Sequence, residues 1–257
     1  MPAPILTLTT DFGLSDHYVG SMKGVILGIC PRAQIVDISH QVSPYAISEG
    51  AFLIAQAYRS FPRGTVHGVV VDPGVGSDRR PILMEAAGQY FVAPDNGVLG
   101  MIFAREKHKV RVISNERYFR RPVSQTFHGR DIFAPVAAHV AAGVAPARIG
   151  KMVTDYVRPP FEKPRQTGPR EWTGEVLKID GFGNVITNFQ ADDFPSIAQI
   201  RIGRTKAGRL VHSYAEAKPR ELVVIAGSSG YLELSLNQGS AAQKIGCRPG
   251  DACQIRV

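Results

Sequence analysis

No stretch of this chain reaches the roughly 18 consecutive apolar residues that a membrane-crossing helix needs. The opening residues, MPAPILTLTTDFG, carry no basic flank and meet a charge at Asp11, so they do not read as a secretory signal. Cysteine is scarce: Cys30, Cys247 and Cys253, an odd number with no Cys-x-x-Cys pair. That count speaks against a disulfide frame and against a zinc site, and fits a reducing, cytoplasmic setting. Several chemistries are missing at the level of motif. There is no G-x-x-x-x-G-K-[ST], no G-x-G-x-x-G after the first strand, no H-E-x-x-H and no G-x-S-x-G. Phosphate-cradling, nicotinamide, zinc and serine-hydrolase mechanisms are therefore unsupported. The D-F-G at residue 11 has no glycine-rich lid or catalytic loop upstream of it, which rules out a kinase reading.

What is present is an ordinary globular composition with a basic balance. The 257 residues hold 44% hydrophobic and 20% charged side chains, with a net charge of +8. The basic residues are densest at 105–122 and 158–171. No RNP-type aromatic motif, helix-turn-helix or zinc finger accompanies them, so they read as a solvated surface and nucleic acid is not expected as a partner.

Residues 1–155 alternate between strand and helix patterns. Strands are expected at 5–10, 33–38, 65–71 and 109–114, with a short strand pair at 81–86 and 89–94. Helices are expected at 15–29 behind Ser15, 43–61 behind Ser43 and Pro44, 96–107, and 131–144 with Asp131 as the N-cap. This rhythm predicts an α/β domain with a mostly parallel central sheet. Residues 156–170 hold four prolines and read as a linker. Residues 171–257 show short strands and turns, the pattern of a small all-β, barrel-like domain.

In open α/β sheets, ligands bind beyond the carboxyl ends of strands. Asp11 and Asp72 fall there, each followed by a glycine turn, DFG and DPGVG. His128 lies on an expected loop ahead of a helix start. In the second domain, Asp180, Phe182, Asn184 and Asn188 gather polar groups and a ring about one turn, and Ser228 and Ser229 mark another. Hairpin turn chemistry alone explains much of these two turns.

Six segments, taken together and in order, carry a resemblance: TDFGLSDHYVG, VVDPGVGSDRR, APDNGVLG, TFHGRDIFAP, DGFGNVITN and SSGYLELSLNQGSAA. The chain resembles the S-adenosyl-L-methionine (SAM) hydroxide adenosyltransferases, relatives of the fluorinase and chlorinase enzymes. The resemblance implies a homotrimer with its site shared between subunits, and needs no cofactor beyond the substrate. It implies attack of water or hydroxide on ribose C5′ of SAM, giving adenosine and L-methionine. The family's Asp-Arg-His set falls on Asp72, Arg79 and His128. It implies Asp72 as an orienting carboxylate, Arg79 as a charge stabiliser and His128 as a proton acceptor or relay. Asp11 would grip the ribose hydroxyls, Asp16 would lie near the methionine ammonium, and Tyr45, Phe127 and Phe182 would pack on the ligand. Asn184 would read the adenine edge, Asp180 falls among the substrate-binding residues, and Ser228 and Ser229 would hold the methionine end. The halogenating relatives have a serine in place of Gly129, an aromatic or apolar residue in place of Asp72 and, in the fluorinase, an arginine in place of Ser229. The departures at Gly129 and Asp72 argue against halide use; that at Ser229 bears on the contact with the methionine carboxylate. A SAM-, adenosine- or nucleic-acid-binding module with little turnover is the alternative that the residues leave open.

Overall fold

The structure is a computed structural model that describes residues 2–158 and 163–257. The chain forms two compact units, Met1–Pro160 and Phe161–Val257.

The first unit is built on β1 (Ile5–Thr10), α1 (Tyr18–Ile29), β2 (Gln34–Ser39), α2 (Ile47–Ala57), β3 (Val66–Val70), β4 (Pro81–Ala86), β5 (Gln89–Pro94), α3 (Gly100–Arg105), β6 (His108–Val112), α4 (Ala134–Ala141), α5 (Pro146–Ile149) and β7 (Met152–Val153). Its strands form one sheet in the order β2-β1-β3-β5-β4-β6-β7. All five residues of β3 are buried, as expected of a central strand covered on both faces. Alternation along β1 sends Leu6 and Leu8 into the same cluster as Met22 and Ile26 of α1 and Val136 of α4. Leu6, Leu8, Met22 and Ile26 are fully buried, and each such side chain contributes about 1.5–3 kcal/mol. Gly68 lets that layer close over β3: a Cβ there would stand 3.1 Å from Leu8 Cδ2.

The sheet is mixed, which corrects the expectation of a mostly parallel one. β1 runs parallel to β2 and β3, and β3 parallel to β5. The pairs β4–β5, β4–β6 and β6–β7 are antiparallel. The cause is the two-residue Ala87–Gly88 turn, with φ of 52° and 75°. Two residues can reverse a chain but cannot cross over to a parallel neighbour. Helix boundaries also contract. Helix α1 begins at Tyr18, with Ser15 two residues before its cap position and making no capping bond. The last expected helix starts as a π-helical turn, Gly129–Phe133, and becomes α-helical only at Ala134. Asp131 is accordingly not an N-cap.

The second unit comprises β8 (Arg165–Gly168), β9 (Glu171–Ile179), β10 (Val185–Gln190), β11 (Gln199–Ile202), β12 (Thr205–Ala207), β13 (Leu210–Val211), β14 (Leu222–Ala226), β15 (Tyr231–Leu236), α6 (Ala241–Ile245) and β16 (Ala252–Arg256). The strand path is β12-β11-β16-β9-β10-β15-β14-β13, with β8 added on β9. Every pair is antiparallel except β13–β14. The path curls so that β12 approaches β14, giving a half-barrel around Val176, Phe189, Ile200, Val224, Leu234 and Ile255. Within the expected linker, 156–170, the ends are ordered and residues 159–162 lie outside the described ones. Tyr156 is buried against Phe103, and Arg165–Gly168 pairs as a strand.

Candidate active site

Thr10 of β1 lies opposite Val70 of β3 in parallel register, so Asp11 and Asp72 leave the sheet at the same carboxyl edge. The turn after β3 then closes on itself. Val75 N donates to Asp72 O, and Ser77 N and Oγ both donate to Gly74 O. Arg79 N donates to Ser77 Oγ at 3.4 Å. Glycine is required at one position here and lies in close contact at a second. Gly76 has φ of +79°, and a Cβ on it would stand 2.5 Å from Gln125 O. A Cβ on Gly74 would press Arg79 Cγ at 3.3 Å. The turn thereby returns Arg79 to the carboxylate at its own start.

The contact is dense. Arg79 Nε donates to Asp72 Oδ1 at 2.9 Å and to Oδ2 at 3.0 Å, and Nη2 donates to Oδ2. The Asp72 side chain is 5% exposed and that of Arg79 9%. The Phe133 ring lies 5.2 Å from the guanidinium carbon, a cation–π contact. Arg79 Nη2 also stands 2.7 Å from His128 Nδ1. A guanidinium only donates, so Nδ1 accepts and the imidazole proton resides on Nε2. Burial, and then the Arg79 charge, hold the His128 pKa below its ordinary value. His128 is therefore neutral near pH 7, with Nδ1 occupied and Nε2 protonated. In this arrangement neither ring nitrogen is free to accept a proton, which bears on the expectation of His128 as an acceptor.

The β1 side of the edge is aromatic. Phe127 is buried, with ring centroids of Tyr18 at 5.0 Å and Phe12 at 5.9 Å, and Arg130 stacks over it at 5.0 Å. A side chain at Gly129 would meet Phe12 at 3.2 Å and Met22 Sδ at 3.3 Å. Tyr45 is 73% exposed and holds a positive φ of 67°. That conformation costs a non-glycine residue energy; here its amide donates to Asp11 Oδ2 at 2.9 Å. Asp16 is exposed on the turn ahead of α1, beside Ser15. The loop bearing Phe127 and His128 is pinned by Asp131, a fully buried carboxylate. It accepts from Arg130 Nε at 2.7 Å and Nη2 at 2.8 Å, from Arg120, and from Ser124 N. Burial alone would raise its pKa; the arginine and amide donors outweigh burial and hold it below the usual range.

In the second unit, Asp180 organises its own turn. Its Oδ1 accepts from Phe182 N and Asn184 N, and its Oδ2 from Asn184 Nδ2, all at 2.9 Å. Gly183 has φ of +83° and rests on the start of α6, where Ala242 N donates to Gly183 O. The result presents Phe182 84% exposed above a buried Asn184. Both line a cavity of about 300 Å³ with Tyr214, Leu236 and Asn237. Tyr214 donates to the buried Glu233 Oε1 at 2.6 Å, and burial together with that carboxylate pushes its pKa up to about 12. Ser228 and Ser229 lie on the β14–β15 turn, and Ser229 Oγ is shielded from solvent without a protein hydrogen-bond partner.

The sequence did not mark Tyr214, Glu233, Asn96 or Asp95. Asn96 Nδ2 donates to Val71 O and fixes the strand end that precedes Asp72. Asp95 receives Arg80 and Val157 N. Asn96 stood in the segment APDNGVLG, where a turn residue and an anchor look alike. Nothing in the pattern around Tyr214 distinguishes it.

The chain matches two family models: the SAM hydroxide adenosyltransferase N-terminal domain over residues 6–150 and the C-terminal domain over residues 174–254. It is 38% identical to the (R)-S-adenosyl-L-methionine hydrolase of Salinispora tropica, over 99% of this chain and 98% of that protein. It is 37% identical to the protein of the same name from Methanocaldococcus jannaschii, over 93% and 90%. Among solved structures it is similar to an uncharacterized conserved protein from Thermotoga maritima, with a TM-score of 0.91 and 40% identity over 98% of this chain and all of that one.

Proposed function

The chain belongs to the SAM hydroxide adenosyltransferase family, and from that membership we propose how its residues carry out the reaction. It is a SAM hydrolase: water attacks ribose C5′, the C5′–S bond breaks, and its electron pair returns to sulfur. The products are adenosine and L-methionine, with one proton released to solvent. The names of the relatives point to the (R)-sulfonium epimer as the form taken.

The observation that carries this reading is Arg79, clamped between Asp72 and His128 at the edge of β3. A sulfonium is already a good leaving group, so the difficulty lies in the nucleophile. Arg79 Nη1 has no hydrogen bond among the described residues and is the donor left to stabilise the oxygen as the water loses a proton to solvent and takes on hydroxide character. Asp72 orients that water by accepting a hydrogen bond from it. His128 fixes the guanidinium through Nδ1 and presents Nε2–H as a second donor, a role that replaces proton acceptance. Asp11 grips the ribose diol; Asp16 faces the methionine ammonium; Tyr45 and Phe127 pack on the ligand. In the second unit, Phe182 and Asn184, held by Asp180, take the adenine, and Ser228 and Ser229 the methionine carboxylate. The barrel-like form of that unit, the homotrimer and a cytoplasmic setting, consistent with three free cysteines, belong to the same proposal. So does independence from any cofactor: activity is expected to survive EDTA, and light scattering is expected to give three times the 27.9 kDa protomer mass.

The test is turnover of each sulfonium epimer of SAM in oxygen-18 water, with and without chloride. Adenosine labelled at the 5′-oxygen, independent of chloride and lost in Asp72→Ala, is the expected result. A 5′-chloro product, or binding without turnover, overturns it.

A further inference from the structure

Thr10, the last residue of β1, is fully buried and passes the backbone directly to Asp11. Two neighbours fix the direction of its hydroxyl. Phe12 N donates to Thr10 Oγ1 at 3.3 Å, and Oγ1 stands 2.8 Å from His40 Nδ1. His40 follows β2 and is 3% exposed. Its Nε2 lies 3.0 Å from Asp37 Oδ1, an oblique contact with no better-aligned partner. Asp37 Oδ2 is held in turn by Lys23 Nζ at 2.6 Å. An imidazole nitrogen beside a carboxylate keeps its proton, which leaves Nδ1 to accept. With the His40 proton on the nitrogen that faces Asp37, Thr10 donates to His40 and receives from Phe12. His40 acts a second time through its carbonyl, which accepts from Gly13 N at 2.8 Å. The residue before Asp11 and the two after it are all tied to one imidazole residue. Asp11 itself has a single side-chain hydrogen bond among the described residues, from Tyr45 N.

We infer that His40, acting through the buried Thr10 hydroxyl, is the positioning residue that sets Asp11 for its grip on the substrate's ribose diol. The inference rests on the reading of Asp11 given under the proposed function. A carboxylate on a loop binds a diol well only if its backbone is held before the ligand arrives, because ordering the loop on binding lowers affinity. Residues 14–16, immediately beyond, are exposed, and the rings of Phe12 and Tyr18 pack on Phe127, so the polar anchoring of this backbone comes from the Thr10–His40 side. The arrangement of carboxylate, imidazole and hydroxyl resembles that of a nucleophilic triad, but Thr10 Oγ1 is shut away from solvent and engaged on both sides, so its role is positional.

The test compares adenosine with 2′,3′-dideoxyadenosine, which lacks the diol, by calorimetric titration of the full chain. The parent protein favours adenosine. Thr10→Val keeps the shape and strand preference of the residue but removes the hydroxyl. It should weaken adenosine binding about tenfold and leave the dideoxy ligand unchanged, so that the preference collapses. Thr10→Ser should restore the preference. His40→Asn, which keeps an acceptor near the Nδ1 position, should retain more of it than His40→Leu. A loss shared equally by both ligands would show a merely structural role and overturn the inference, as would a preference that Thr10→Val leaves intact. A parent protein with no preference for the diol would instead remove the reading of Asp11, and the positioning role with it.

Discussion

Strand β3 carries one histidine in its interior and ends at the edge where another is held, and the two are treated in opposite ways. His67, inside β3, is fully buried. Its Nδ1 meets Thr7 Oγ1 at 2.7 Å and its Nε2 meets Gln89 Oε1 at 3.3 Å. Gln89 spends its amide protons on the carbonyls of Tyr58, Phe61 and Pro62, so its oxygen accepts from His67. All partners are neutral, and the ring stacks on Phe91 at 4.7 Å. At the edge, His128 faces a guanidinium locked to a carboxylate. Both imidazoles are neutral at pH 7. In the interior burial alone enforces it; at the edge burial is joined by a neighbouring charge. The interior histidine serves stability, and the edge histidine holds the guanidinium of Arg79.

Breaking the edge should have the largest effect. Arg79→Met alone would leave Asp72 as an unpaired buried charge, at a cost of about 3–5 kcal/mol in stability. The double variant Asp72→Asn, Arg79→Met avoids that. It is expected to fold and to lose about 10²–10³-fold in kcat or more, read by adenosine release. A comparable kcat in the double variant would show that the edge has no chemical role.

The interior should respond to acid instead. His67 takes up its proton near pH 6.5 in the unfolded chain and near pH 4 in the folded one. Between those values the unfolded state binds more protons, so stability falls as pH drops from 6.5 to 4, by about 3 kcal/mol. Urea unfolding of the parent and of His67→Gln across that range should separate this contribution, with a shallower acid slope in the variant. A smaller effect sharpens the contrast. NMR titration should find His128 below 6.5, and rising towards it in the double variant, which lacks the Arg79 charge. The smallest expected effect is Thr7→Val, which removes one buried donor and should cost about 1 kcal/mol in stability with kcat unchanged. A fall in kcat there would erase the distinction between interior and edge.

The parts of this architecture legible in the sequence were those set by local chemistry. The apolar run Gly68–Val71 marked the end of β3, and the glycines of DPGVG announced the turn that returns Arg79. The mixed sheet was not legible, because the Ala87–Gly88 turn states that β4 and β5 pair but not that both enter the main sheet. Asp131 was misplaced because a helix cap and a buried ion-pair acceptor use the same residue type; Arg120 and Arg130 decide between them only in three dimensions. Tyr214 and Glu233 were silent, since nineteen positions separate the two ends of their hydrogen bond.

The loop from Val71 to Arg80 leaves the sheet at the end of β3 and re-enters at the start of β4, which lies against the end of β5. Both its anchors therefore sit on one edge, separated only by β5, about 10 Å apart by ordinary strand spacing. Its two ends are tied into the fold, Val71 O by Asn96 and Arg80 by Asp95, while residues 73–78 between them carry no strand pairing. It is in effect a hairpin held at its two feet, so a graft that keeps Val71, Asp72, Arg79 and Arg80 can change the crest of the loop without disturbing the strands on either side.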